Sequence, residues 1–304
     1  MTKFTSQEIK EFVSKPLFDE KVILNKDPSW PKISIVTPSY NQAQFLERTI
    51  LSVLNQNYPN LEYIIIDGGS TDGSVELIKK YERYLAYWVS EPDRGQAHAI
   101  NKGFKMASGE LVGWQNSDDV YLTNAFRRII KEYKSNPWYD VWFGNIYLID
   151  KDDLIIKEMK FIPFSLEHLV FYDWNLSSQG VFWKRNVFEK VGYLDETFQV
   201  LFDWDWFIRL GLYGFKFKFV REFLGGYRIH EASKLSMIQG DIRRDSKERV
   251  LRKNKVVRLK YFNLHLKQFK IFLRRIFYYL IQGDLDYIYK GFCRRLRKLI
   301  GYYA

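Results

Sequence analysis

Glu110-Leu111-Val112-Gly113-Trp114-Gln115-Asn116-Ser117-Asp118-Asp119 is the stretch on which the reading of this 304-residue chain turns. Its apolar run, Glu110 to Trp114, reads as a buried strand that delivers two adjacent carboxylates where the strand ends. Behind Asp119 the pattern of Thr123 to Tyr133 predicts a helix, so the acids sit on a strand-to-helix turn. An open α/β sheet binds its ligands outside the carboxyl ends of its strands. Two hard oxygen donors on a short turn suit Mg2+ or Mn2+ holding a phosphate, although a solvated turn or a helix cap has the same composition.

The same unit recurs three times upstream. Ile33 to Val36 is a short buried strand halted by Thr37-Pro38-Ser39-Tyr40-Asn41. Ala43 to Leu54 follows it, with Phe45, Leu46, Ile50, Val53 and Leu54 at helical spacing. Leu61 to Ile66 ends in Asp67-Gly68-Gly69-Ser70-Thr71-Asp72-Gly73, after which Ser74 begins a helix. Leu85 to Val89 leads through Glu91-Pro92-Asp93-Arg94-Gly95 into a helix from Gln96 to Met106. Strands alternating with such helices predict βαβ units and a mostly parallel central sheet with helices on both faces. The four polar turns then converge on one site. Asp67 can accept hydrogen bonds from a base or ribose there. The glycines around it have neither the spacing of a dinucleotide fingerprint nor the Lys-Ser/Thr of a P-loop. Arg94, ahead of a helix N-terminus, is suited to diphosphate oxygens, with an ordinary surface arginine as the alternative.

Downstream of Asn136-Pro137, Val141 to Ile149 and Leu154 to Met159 predict an antiparallel pair. Arg185 to Val191 reads as a short helix, and Phe202-Asp203-Trp204-Asp205-Trp206-Phe207-Ile208-Arg209-Leu210 as an amphipathic helix entered through an acid. No linker separates the halves, so one core is expected. Residues 1–30 form an N-terminal extension, with Thr5 and Glu8 as a capping box.

With 46% apolar and 18% aromatic residues the chain is globular. One cysteine, Cys293, excludes an internal disulfide framework and a cysteine zinc cage. The start lacks the apolar core of a signal peptide, and no apolar run approaches the roughly 20 residues that cross a bilayer. A cytoplasmic protein, attached to a membrane at most by its surface, is expected. The net charge of +11 is uneven. From Ser246 onward eight Lys and eight Arg face one Glu and two Asp, a surplus of 13, so residues 1–245 carry a net −2. A near-neutral body disfavours a nucleic-acid binder.

Taken in order, Ile33–Asn41, Ile65–Ser74, Glu91–Gln96 and Asn116–Asp119 closely resemble the family 2 glycosyltransferases of the GT-A fold, over about residues 31–235. The resemblance implies an inverting transferase that uses a nucleotide-diphosphate sugar donor and a divalent metal, Mn2+ or Mg2+. By that resemblance Pro38 and Tyr40 line the nucleobase pocket and Asp67 hydrogen-bonds the base. Arg94 holds the diphosphate, Asn116 and Asp118 face the ribose, and Asp119 faces the metal. Asn116 departs from the commoner Asp, and Phe202 from the commoner Glu. Asp203 matches the catalytic base, with Asp205 as the fallback on the acceptor side. Gly226 to Ser236 is similar to the segment that closes the donor site, where His230 completes the metal sphere or contacts the diphosphate. Gln179 sits where relatives approach the acceptor.

The tail, 241–304, is expected to be a basic amphipathic helical extension of the 31–240 transferase domain. Leu259, Leu266, Leu273 and Leu280 recur every seven residues beside Lys253, Lys260, Lys267 and Arg274. Such a pattern suits an anionic membrane surface, and equally a helix packed on its own domain or a short coiled coil. The charge, with the later Arg294-Arg295-Leu296-Arg297-Lys298, favours the membrane. The implied activity is sugar transfer from a UDP-sugar to a growing, lipid-linked glycan in surface polysaccharide assembly. The alternative is a nucleotide- or glycan-binding protein of the same fold that has lost turnover. Asn116 and Phe202 favour the alternative, while Asp118, Asp119, Asp203 and His230 together oppose it.

Overall fold

A computed structural model describes residues 1–172, 175–231, 240–256 and 264–299. The chain opens with α1 (Ser6–Ser14), α2 (Glu20–Asn25), β1 (Ile33–Ser39) and α3 (Ala43–Leu54). It continues through β2 (Leu61–Asp67), α4 (Ser74–Tyr81), β3 (Tyr87–Ser90), α5 (Gln96–Met106) and β4 (Leu111–Trp114). Next come β5 (Val120–Tyr121), α6 (Ala125–Ser135), β6 (Val141–Ile149), β7 (Ile155–Met159) and α7 (Leu166–Phe171). The body closes with β8 (Val181–Lys184), α8 (Val187–Val191), α9 (Phe202–Leu212) and β9 (Phe217–Arg228). The tail supplies α10 (Gly240–Lys253), α11 (Leu264–Ile281) and α12 (Leu285–Leu299).

The strands form one sheet in the order β3-β2-β1-β4-β8-β6-β9-β5, with β7 also paired to β6. From β3 to β4 it is parallel, as the repeated strand–helix units predict. Beyond β4 the antiparallel β8 intervenes, and β6 pairs antiparallel with β7, also as predicted, and parallel with β9. Successive strand side chains point to opposite faces, and each face has its own core. Ile33, Ile35, Tyr63 and Ile65 meet Leu46, Ile50, Val53 and Leu54 of α3. Val36, Ile64 and Ile66 meet Ala97, Ile100 and Phe104 of α5 on the other side. Helices therefore cover both faces, and the loops at the C-terminal ends of β1–β4 are left to form a cleft.

Two features were not foreseen. First, residues 1–30 are part of the body. The Thr5–Glu8 capping box starts α1, and Ile9, Phe12 and Val13 pack against Val120, Tyr147, Ile149 and Phe223. Second, β5 stands between the paired acids and α6, and pairs with β9 at Val120–Gly226. The acids thus lie between two strands rather than on a strand-to-helix turn.

The tail is docked by one face and open on another. Val250 and Val256 join the core beside α9, while Ile271 and Tyr279 of α11 are buried. Gln268 Nε2 donates to the Phe171 carbonyl at 3.0 Å, which seats α11 on α7. The heptad residues Leu266, Leu273 and Leu280, with Phe269, remain 47–54% exposed. The packed face is therefore not the leucine face. Leu259, Lys260 and Phe262 lie outside the described residues. Among the described residues no helix is long and apolar enough to cross a membrane.

Candidate active site

A cleft of about 1040 Å³ opens where the strand ends converge. Pro38, Tyr40, Gly68, Pro92 and Asp93 line one part of it, and Asn116, Ser117 and Asp118 another. Asp203 reaches it from the first turn of α9. Ile146, Leu148, Met159, Phe161 and Ile229 give an apolar wall on the β6–β9 half of the sheet.

Aromatic packing holds the two halves in register. Trp114, the last residue of β4, stacks on Phe207 of α9 with ring centroids 6.1 Å apart. Trp183 of β8 packs edge-on to both Trp114 and Trp206. Such pairs add about 0.5–1.5 kcal/mol each beyond the area they bury. The strand that leads to Asp118 and the helix that carries Asp203 are therefore fixed by one cluster. Phe202 and Asp203 face the cleft from that first turn, while Trp204, Trp206 and Phe207 are buried in the core.

The paired acids have opposite environments, and the structure corrects the role expected of Asp119. Asp119 is fully buried. Its Oδ1 accepts from the Arg228 backbone N–H at 2.8 Å. Its Oδ2 accepts from Gln179 Nε2 at 2.7 Å and Asn116 Nδ2 at 2.9 Å. Burial, followed by the nearby charge of Asp118, pushes its carboxyl well above the usual range. With three donors on its two oxygens and no exposed surface, Asp119 braces the loop and does not line the cleft. Asp118 does line the cleft, and its Oδ2 lies 3.1 Å from His230 Nε2. The His230 ring packs on Phe45, centroids 4.6 Å apart. Residues 232–236 of the expected closing segment lie outside the described residues.

Other expectations are also revised. Asp67 is buried, accepting from the Gly69 and Ser70 amides at 3.1 and 2.8 Å and from the hydroxyls of Ser70 and Ser90. It shapes the Gly68–Ser70 turn and does not itself line the cleft. Arg94 is 70% exposed and turned onto Glu196 at 2.6 Å, because Asn101 Nδ2 holds that carboxylate beside it. Gln179 lines the cleft but its amide nitrogen is spent on Asp119. Gly225 permits this: a Cβ there would lie 2.1 Å from the Gln179 carbonyl oxygen. Asp205 is buried away from the cleft, bonded by Arg209, Lys253 and Asn254, so it is neither a fallback base nor an acceptor contact. Pro38, Tyr40, Asn116 and Asp203 line the cleft.

Arg228 and Asp153 escaped the sequence reading. Arg228 is fully buried, its guanidinium donating to the Asp118 and Asp150 carbonyls and pairing with Asp153 at 2.6 Å. Its only sequence signal was its place in Tyr227-Arg228-Ile229-His230. The partner comes from the β6–β7 turn, 75 residues away.

Among the described residues no three metal-binding side chains cluster. The pair Asp118 and His230 still fits a divalent ion, since Mg2+ sites commonly use one or two carboxylates and take the remaining oxygens from phosphates. Mn2+ accepts an imidazole nitrogen beside them.

Comparison with known proteins agrees with this geometry. The profile described as glycosyl transferase family 2 matches residues 34–205. An uncharacterized glycosyltransferase of Nostoc sp. is 29% identical over 213 residues, 66% of this chain and 66% of that one. The poly-beta-1,6-N-acetyl-D-glucosamine synthase of Staphylococcus epidermidis is 28% identical over 194 residues, 60% of this chain and 47% of the synthase. The chain thus spans just under two thirds of the first relative and about half of the second. In structure it is similar to S. aureus TarS in complex with UDP-GlcNAc, with a TM-score of 0.59, 17% identity and coverage of 74% and 66%. That likeness shows the GT-A fold. With the profile matching more than half of its length, and both acid motifs facing one cleft, the chain belongs to glycosyl transferase family 2.

Proposed function

We propose that the protein transfers a sugar, with inversion, from a nucleotide-diphosphate sugar to a hydroxyl of a growing, lipid-linked glycan in surface polysaccharide assembly. A UDP-sugar is the donor class we favour. The observation that carries the reading is the meeting of Asp118 and Asp203 in one cleft, from two halves of the chain. TarS, similar in fold, binds UDP-GlcNAc, and the S. epidermidis relative is a synthase of an N-acetylglucosamine polymer, which supports it.

In this reading Asp203 accepts the proton of the acceptor hydroxyl while that oxygen attacks the anomeric carbon. The bond from that carbon to the diphosphate breaks on the opposite face, and the nucleoside diphosphate leaves without needing a proton. Asp118 and His230 would hold Mn2+ or Mg2+, which would supply positive charge to the leaving diphosphate. Asp119 and Arg228 keep Asp118 in place from behind. Binding of UDP should therefore depend on Mn2+ and weaken at least about tenfold in Asp118→Ala, by calorimetric titration. A metal-independent affinity, equal in wild type and variant, would contradict the donor site.

The tail belongs to the same proposal. Leu266, Phe269, Leu273, Phe277 and Leu280 are exposed beside the exposed Lys270 and Arg274, the composition of a helix resting on anionic lipid. We expect cosedimentation with vesicles containing phosphatidylserine but not with neutral ones, and its loss in Leu273→Asp/Phe277→Asp. Equal sedimentation with both vesicle types would dismiss the membrane role.

A further inference from the structure

We propose that Asp93 is the residue that reads the nucleobase of the donor, in the place left open by Gly68; this rests on the donor-site reading above. The part of the cleft formed by Pro38, Tyr40, Gly68, Pro92 and Asp93 is built of ring faces and backbone, with one carboxylate among them. Asp67, the acid expected there, is fully buried in the turn it braces and does not line the cleft. Asp93 has one committed oxygen: Oδ1 accepts from the Gly95 amide at 2.6 Å. Among the described residues Oδ2 has no hydrogen-bond partner. A Cβ built on Gly68 would lie 2.6 Å from that Oδ2 and 3.2 Å from the Tyr40 ring. The Asp93 carboxylate therefore stands in the volume that any side chain at position 68 would fill, beside the ring available to stack on a base.

A carboxylate only accepts hydrogen bonds. Uracil offers it the N3–H donor, whereas cytosine, of the same ring size, presents a lone pair at N3. A site built to pair with an N–H disfavours the analogue lacking it, and the half-buried Asp93 carboxylate would meet the N3 lone pair of cytosine with its own negative charge. With Oδ2 facing the N3 position, Asp93 thus selects uracil over cytosine, whose own donor, the 4-amino group, lies one ring position away. In Asp93→Asn the amide oxygen keeps the Gly95 contact and the NH2 takes the place of Oδ2, which converts the reading group from acceptor to donor.

The test is calorimetric titration of UDP and CDP in Mn2+ against wild type, Asp93→Asn and Gly68→Ala. Wild type should favour UDP by about tenfold to a hundredfold, the span of a hydrogen bond to a charged group. Asp93→Asn should bring that ratio to about one or invert it. Gly68→Ala, whose methyl takes the volume of Oδ2 and pushes the carboxylate aside, should weaken UDP while its melting curve stays that of wild type. Comparable wild-type affinity for CDP and UDP would overturn the inference, as would an unchanged ratio in Asp93→Asn. If UDP binds with metal and Asp118→Ala loses it while the Asp93→Asn ratio stays put, the inference fails alone. If no nucleotide binds wild type, the donor-site reading fails with it.

Discussion

Asp203→Asn should lower kcat by about a thousandfold or more and leave Mn2+-dependent UDP affinity within about twofold of wild type. The cleft places Asp203 on the first turn of α9, away from the β1–β3 turns that would hold the nucleotide. An asparagine of the same shape keeps the helix start and the aromatic packing of Trp204, Trp206 and Phe207 but cannot take a proton. Binding and chemistry are then separated by a single atom. Initial rates with a matched donor and acceptor, beside titration of UDP, measure both. Full turnover by the variant would remove Asp203 from the base role. No transfer by wild type, with UDP binding intact, would favour the non-catalytic alternative.

Asp205→Ala should destabilise the protein by about 3 kcal/mol or more, read from the denaturant midpoint. Asp205 is two residues from Asp203 in sequence yet fully buried. Its oxygens take Arg209 Nε at 2.9 Å, Lys253 Nζ at 2.9 Å and Asn254 Nδ2 at 2.8 Å. Lys253 also meets Asp195 at 2.7 Å, so this cluster ties α10 to the underside of α9. Removing the carboxylate leaves the Arg209 charge, 14% exposed, without its anion. Truncating Lys253 should cost less, because that side chain is 36% exposed and water replaces part of its pairing. A midpoint within error of wild type for Asp205→Ala would show that the cluster does not anchor the tail. Transfer lost without any change in midpoint would return Asp205 to the reacting site.

The contrast between Asp203 and Asp205 shows where a sequence stops being informative. Both acids stand in an aromatic run, and helical periodicity turns them about 200° apart. Which one faces the cleft depends on where Trp114 and Trp183 stand, and those come from other strands. The same holds for Asp118 and Asp119. Adjacent carboxylates carry the same local signal, and their roles separate only because β5 pairs with β9 and brings the Arg228 amide onto Asp119. The local setting of Arg94, ahead of a helix, points to a bound anion, whereas Glu196, from 102 residues downstream, holds its charge.

What the sequence determined by itself was the repeating strand–turn–helix pattern, the convergence of four polar turns and the family to which they belong. These are local signals: period-2 and period-3.6 hydrophobicity and ordered short motifs, each complete within about ten residues. Tertiary structure alone decided which carboxylates face the cleft, that Gly68 makes room for Asp93, and that the leucine face of the tail is the exposed one. Each of those depends on contacts between residues distant in the chain. A buried carboxylate takes its role from the partners that surround it, and no local pattern names them.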